Sequence, residues 1–266
     1  MNIENTILLK ERHECGIIRL VLNDSKRKNA LSNEMIDTIK NEISKISDDK
    51  SVNVIIISAN GNVFSSGHNL KEITDLRKKN ESAYSYFSKL FNSCSDLMQL
   101  IVNCPKPVIA EVNGVATAAG CQLVASCDLA IASSKSKFAT PGVDIGLFCS
   151  TPMVAISRNV SPKDAMKMLL TGDMIDASEA KRISLVNDCV EEDELTDHVF
   201  NLAKKISKKS SNVIQSGKKA FYSQLNKNLS DAYKYTSKIM AEDVLKEDAI
   251  EGINAFLEKR EPNWRE

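Results

Sequence analysis

Two rhythms of apolar residues trade places along this chain. Alternating or unbroken β-branched runs mark strands, and apolar residues three and four apart mark helices. Residues 6–9 and 16–22 alternate around a charged segment, KERHEC, and predict a hairpin. Ser32 stands where a helix N-cap belongs, and Met35, Ile36, Ile39, Ile43 and Ile46 then fall on one helical face. The unbroken run over 52–58 reads as a strand buried on both faces. A long amphipathic helix over 81–102 carries Tyr84, Phe87, Phe91, Leu97 and Ile101. Pro105 and Pro107 impose an extended approach to a strand at 108–112. A helix at 119–126, strands at 128–132 and 137–139, and helices at 152–158 and 162–171 follow. Ser161 and Pro162 supply the cap and first position of the last of these. After a short helix at 178–183 and a strand at 186–190, the pattern is helical over 195–207, 213–224, 229–245 and 248–259.

Strand–strand–helix units followed by helices alone predict an α/β fold of parallel sheet layers with helices outside. The division falls into a core over 1–193 and a helical region over 194–266, which is expected to pack on the body or on another copy rather than fold alone. Two apolar strands each run into a small-residue turn and then a helix: VNVIIISAN into FSSGHNLKE, and PVIAEVN into GVATAAGCQLV. Small residues let a ligand approach the main chain. The helix that follows aims free N–H groups and its positive dipole end at any oxygen there. Two such turns meeting at one point would hold an oxyanion between two donors.

The bulk numbers narrow the function classes. The 266 residues are 42% apolar and 26% charged, ordinary for a soluble domain. Thirty-five basic and 35 acidic side chains cancel, which gives no support for nucleic acid or a membrane surface as partner. The lysine pairs at 204–205, 208–209 and 218–219 have the spacing of a solvated helix face. Seven cysteines without a CxxC pair imply reduced thiols and predict a cytoplasmic location, with Cys94, Cys121, Cys127 and Cys189 as small core residues. His13, His68 and His198 lack metal-ligand spacing, so no metal is expected. The N-terminal residues read as the approach to a strand rather than a secretory or transit segment, and no apolar run nears the ~18 residues of a membrane span. Met166, Met168, Leu169 and Leu170 read as core, and Asp128 as a brace for the sheet.

Read with their flanks, the two turns resemble the crotonase (enoyl-CoA hydratase/isomerase) superfamily. FSSGHNLKE at 64–72 is similar to that family's F-x-x-G-x-D-[LI]-K-E turn, and 113–133 to its second signature, VNG through C-D-[LI]. FATPGVDIGLFCSTP at 138–152 matches a third in part, TGDMIDASEA at 171–180 a fourth, and NAFLEKREPNW at 254–264 the closing run. The resemblance implies a spiral of ββα turns, then helices that build a trimer, often paired into a hexamer. It implies a CoA thioester as ligand, with CoA part of the substrate and no separate cofactor. The thioester carbonyl would lie between the main-chain N–H groups of His68 and Ala119. Arg27, Ala30, Ser66, His68, Asn69, Leu70 and Lys71 would border the CoA, and Phe256 and Lys259 would contact a neighbour's nucleotide. The alkyl chain would run toward Leu76, Phe87 and Phe148.

Hydratases of this family use two carboxylates, one to activate water and one to deliver the proton. The matching positions are Gln122 and Gly142. A carboxamide can hold water but cannot take its proton, and glycine offers only backbone. Substitutes within reach of the motif are Asp144, two residues on, His68, whose ordinary pKa suits proton transfer, and Cys149, which would need a nearby base. The sequence therefore predicts a protein of fatty-acid metabolism that binds acyl- or enoyl-CoA but lacks ordinary hydration chemistry. The alternatives are another enolate reaction (isomerisation, decarboxylation or thioester hydrolysis) through Asp144 or His68, or binding without catalysis.

Overall fold

The computed structural model describes residues 6–79 and 83–264. Residues 1–5, and the first two residues of the helix expected over 81–102, lie outside the described residues. The chain opens with an antiparallel hairpin, β1 (Leu8–His13) and β2 (Ile17–Leu22), and helix α1 (Asn33–Asp48). Ser32 caps α1, its hydroxyl accepting from the N–H of Met35. Strands β3 (Val54–Ala59) and β4 (Val63–Ser65) lead into α2 (Leu70–Lys79) and α3 (Ala83–Asn103). Strands β5 (Val108–Val112) and β6 (Val115–Thr117) lead into α4 (Ala119–Ser126). Strands β7 (Leu129–Ser133) and β8 (Lys137–Ala139) precede α5 (Pro152–Ile156) and α6 (Pro162–Thr171). β9 (Ile175–Asp176), α7 (Ala177–Arg182) and β10 (Asp188–Val190) complete the strands. Helices α8 (Leu195–Ser207), α9 (Ser211–Gln224), α10 (Leu229–Asp243) and α11 (Glu247–Glu258) form the tail.

The strands form a six-stranded sheet, ordered β1-β2-β3-β5-β7-β10, and a four-stranded sheet, ordered β4-β6-β8-β9, so that in the pairs β3/β4, β5/β6 and β7/β8 the first member joins the larger sheet and the second the smaller. Pairing is parallel except between β1 and β2 and between β8 and β9. The chain thus winds as a spiral of ββα turns, as expected. Strand β3 has an unbroken β-branched run because both its faces are covered. Ile55 and Ile57 enter the main core with α1 and α3, while Val54 and Ile56 enter a second core under α8. Leu195, Val199 and Ala203, four residues apart on α8, cover Ile17, Ile109 and Ile131. On that same sheet face Arg19 donates to both oxygens of buried Glu111, at 2.8 and 2.9 Å, and Thr196 Oγ1 donates to the same carboxylate at 2.9 Å.

Several local expectations change. Lys10, Glu11, Arg12 and His13 of KERHEC lie within β1, and only Glu14 and Cys15 stand in the turn. An edge strand tolerates charge, and here Lys10 pairs with Glu42 of α1 at 3.0 Å and Arg12 with Asp49, just past the end of α1, at 2.7 Å. Met168 and Leu169 are buried, but Met166 and Leu170, one turn apart on the opposite face of α6, are exposed. Cys189 is half-buried. Lys218 leaves the solvated face expected of it. Its side chain is 9% exposed, and its ammonium donates to the carbonyls of Ile101 and Lys106 and to Asp128 Oδ2 at 2.6 Å. Asp128 also accepts from Val108 N–H and from the Tyr222 hydroxyl, so it braces β5 and holds α9 to the body at once.

The backbone carries strain at the entry to α4. Ala118, between β6 and α4, has φ 51° and ψ −119°, a region that suits glycine. Its N–H donates to Ala139 O at 3.0 Å and its carbonyl accepts from Gln122 N–H at 3.0 Å, which hold it there. Ala118→Gly should release that strain and raise the free energy of unfolding by about 1 kcal/mol. Lys218→Met strands the Asp128 carboxylate and should cost about 3 kcal/mol. Urea denaturation at one protein concentration reads both; an unchanged midpoint for Lys218→Met would mean the ammonium is not holding the tail.

Candidate active site

The first turn leaves β4 at Ser65 and bends at Gly67, φ 83°. Lys28 O accepts from Ser66 N–H at 3.1 Å, and Gly67 O accepts from Leu31 N–H at 2.8 Å, so the loop over 24–31 lies along the turn. Asn29 fastens that loop. Its buried side chain donates to Asn60 O and Val63 O and accepts from Asp24 N–H. Sequence reasoning missed Asn29; the only signal was an asparagine, which tolerates the left-handed backbone it adopts here, inside a charged loop. Asn69 caps α2, accepting from the N–H groups of Lys71 and Glu72 and donating to Glu72 Oε1. The backbone N–H of His68 donates to nothing among the described residues.

The second turn presents Ala119 as the first residue of α4. Its N–H likewise has no acceptor among the described residues, although every residue of α4 is buried. The two turns touch: a Cβ on Gly67 would lie 2.9 Å from Ala118 Cβ and 3.0 Å from Ala119 N. Gly120 packs as closely on the strand before the first turn, since a Cβ there would meet Ser65 O at 2.2 Å. Only residues without side chains allow this approach, and it brings two unpaired N–H groups onto adjoining turns.

Gln122 follows one helical turn later, 3% exposed. Its side chain leans back toward the start of α4. Its Oε1 is fully enclosed and has no donor among the described residues, while Nε2, which is not fully enclosed, has no acceptor among them. Gly142 sits in a 3₁₀ turn (Pro141–Ile145) whose loop folds back on it. Leu147 N–H donates to Gly142 O at 2.9 Å, and a Cβ at 142 would meet Leu147 O at 2.3 Å and Cys149 Sγ at 2.9 Å. This loop conformation leaves no room for a side chain at 142.

The possible substitutes are placed as follows. Asp144 is exposed, and its carboxylate lies beside Gly172 at the end of α6. The His68 ring turns into the protein, with Nδ1 3.3 Å from Leu31 O and its face near Phe91. Leu31 O accepts only, so Nδ1 carries the proton and the buried Nε2 lone pair has no partner among the described residues. Burial pulls the His68 pKa below its ordinary value and keeps the ring neutral. Cys149 is buried against Gly142, and burial raises its pKa; burial pushes the neighbouring Cys121 thiol up to about 12. Neither thiol is poised as a nucleophile.

Of the remaining predicted residues, Ala30 is buried, Ser66 is half-buried, and Arg27, Leu70 and Lys71 are exposed around the first turn, with Arg27 Nε on Asp24 at 2.5 Å. Phe148 is exposed, while Leu76 and Phe87 are half-buried. Phe256 and Lys259 are exposed at the end of α11. An open polar cleft of about 490 Å³ lies apart from these turns, between α9 and the start of α11. Lys219 of α9 and Lys246, Glu247 and Asp248 at the start of α11 line it.

The sequence over 12–266 matches the family model described as enoyl-CoA hydratase/isomerase. Enoyl-CoA hydratase domain-containing protein 3, mitochondrial, from Xenopus laevis is 49% identical over 99% of this chain and 88% of its own length. The human protein of that name is 49% identical over 94% of this chain and 80% of its own. The crystal structure of an enoyl-CoA hydratase from Mycobacterium smegmatis superposes with a TM-score of 0.93 at 42% identity, covering 98% of this chain and 99% of that one. These names overturn the cytoplasmic location expected from the cysteines, because relatives this similar are mitochondrial. Reduced thiols exclude an oxidising compartment but do not separate one reducing compartment from another. The family model spanning nearly the whole sequence, the close relatives and the shared spiral together place this chain in the enoyl-CoA hydratase/isomerase family.

Proposed function

We propose that the chain binds acyl- or enoyl-CoA thioesters, with the thioester oxygen accepting hydrogen bonds from the N–H groups of His68 and Ala119. The observation that carries this reading is the contact of two turns, each with an unpaired N–H, at the buried end of a helix. Donors fixed before the ligand arrives need no reorganisation, and one such donor is worth ~3 kcal/mol where charge builds on the oxygen. Arg27, Ala30, Ser66, Asn69, Leu70 and Lys71 border the CoA in this reading. Phe256 and Lys259 reach a neighbouring copy's nucleotide. The role falls in fatty-acid metabolism, in a mitochondrial setting that the relatives' names support.

Ordinary hydration is not proposed. Adding water across an enoyl thioester needs a base for the water and an acid for the carbon, and each missing group costs ~10²–10⁴-fold. Gln122 can do neither, and the loop at Gly142 admits no replacement. The exposed carboxylate of Asp144 beside Gly172 and the inward-turned ring of His68 give no support to proton transfer by either.

The tail supports assembly into a trimer or a pair of trimers. Leu229, Leu245, Phe256 and Leu257 are each more than 70% exposed on or beside α10 and α11, a surface that a second copy would cover.

Mixed with crotonyl-CoA, the protein should give saturable heat of binding and a loss of enoyl absorbance at least ~10²-fold slower than a hydratase with both acids. Wild-type turnover at an ordinary enzyme rate would overturn the reading of Gln122 and Gly142. Gln122→Glu restores one carboxylate and should raise turnover at least ~10-fold without help from position 142. In light scattering, wild type should run as a trimer or hexamer and Leu245→Asp/Leu257→Asp as smaller species. A monomeric wild type would refute the assembly.

A further inference from the structure

We infer that Gln122 selects thioesters whose acyl group carries a second acceptor oxygen on the third carbon, a ketone or a carboxylate. This rests on the thioester reading above and sharpens it. Among the donors left unpaired, within the described residues, by the two turns and the helix that leaves them are the His68 N–H, the Ala119 N–H and the Gln122 carboxamide nitrogen.

Gln122 is more than nine-tenths buried, yet its side chain makes no hydrogen bond among the described residues. The nearby hydroxyl of Ser126 donates to the Gln122 backbone carbonyl at 2.8 Å and leaves the side chain alone. Of the two ends of the carboxamide, the oxygen is fully enclosed and the nitrogen is the less enclosed. An arriving ligand therefore meets N–H bonds. Because the side chain leans toward the start of α4, those bonds lie where the acyl group leaves a carbonyl held at Ala119. A C–H group there leaves the donor unpaired, whereas a ketone or carboxylate oxygen completes it. A carboxylate side chain at 122 would present only acceptors and would repel the same oxygen. The glutamine that removes hydration chemistry thus gives the site a preference for 1,3-dicarbonyl thioesters.

Calorimetry with butyryl-CoA, acetoacetyl-CoA and malonyl-CoA tests this on the full-length protein. Against butyryl-CoA, the tighter of the two dicarbonyl ligands should gain about five- to tenfold, the worth of one neutral hydrogen bond. Which of the two binds tighter tells ketone from carboxylate. Gln122→Met keeps the volume and removes the donor; it should leave butyryl-CoA affinity within about twofold and erase the preference. Gln122→Glu should reverse it. Absence of the preference in wild type, or its survival in Gln122→Met, overturns the inference while butyryl-CoA binding still upholds the thioester site. No binding of any of the three would instead sink the thioester reading itself.

Discussion

The buried N-terminus of α4 sets the terms for the rest of the molecule. A helix begins with N–H groups that its own turns cannot satisfy, and here they begin inside the protein, with every residue of α4 buried. The fold places this end against a second turn at Gly67, close enough that a single methyl group would break the contact. It also holds Ala118 in a strained backbone conformation through hydrogen bonds to Ala139 and Gln122. Unpaired donors and backbone strain both oppose folding. What overdetermines them is the spiral itself. β4, β6 and β8 pair in one sheet and stack the turns, while the larger sheet, buried on both faces, supplies the apolar core.

Much of this was legible in the sequence, because long periodic segments announce themselves. The Ser32 and Ser161 caps, the β-branched run of β3 and the amphipathic face of α1 all follow from side-chain chemistry at fixed spacing. The second sheet was not legible strand by strand. β4, β6 and β9 have three residues or fewer, too few for a period of two to show. Charge misled in two opposite ways. Residues of β1 look like a turn until α1 and the residue after it supply partners for Lys10 and Arg12. Lys218 looks solvated until the end of α3 and Asp128 close around it. Both depend on contacts between residues far apart in the chain, which no local pattern encodes.

The turns were legible for a different reason. The role proposed for them needs main-chain groups and small side chains, so the sequence there is constrained by what must be absent. The resemblance of 64–72 and 113–133 to a known family carried the rest: spacing alone suggested donors, and only the family suggested what they hold. Gln122 and Gly142 were visible as the wrong residues for acid–base work. The structural reason position 142 stays empty was not visible, since it lies in the fold of the following loop, where Leu147 O and Cys149 Sγ occupy the space.

Those two positions differ in what they leave possible. At 142 the loop has closed, so regaining a carboxylate there requires the backbone from Gly142 to Cys149 to move. At 122 the helix is unchanged, and glutamine and glutamate have nearly the same shape. What changes is the sign of the hydrogen-bonding groups that meet a ligand: acceptors become donors. A site with two backbone donors and a carboxylate favours charge moving onto an oxygen with a proton carried alongside. With a carboxamide donor in place of the base, the site as proposed here favours a ligand that already carries two acceptor oxygens. On the proposed reading, one atom exchanged in a buried side chain shifts the site from moving protons toward recognising oxygens, and leaves the surrounding fold in place.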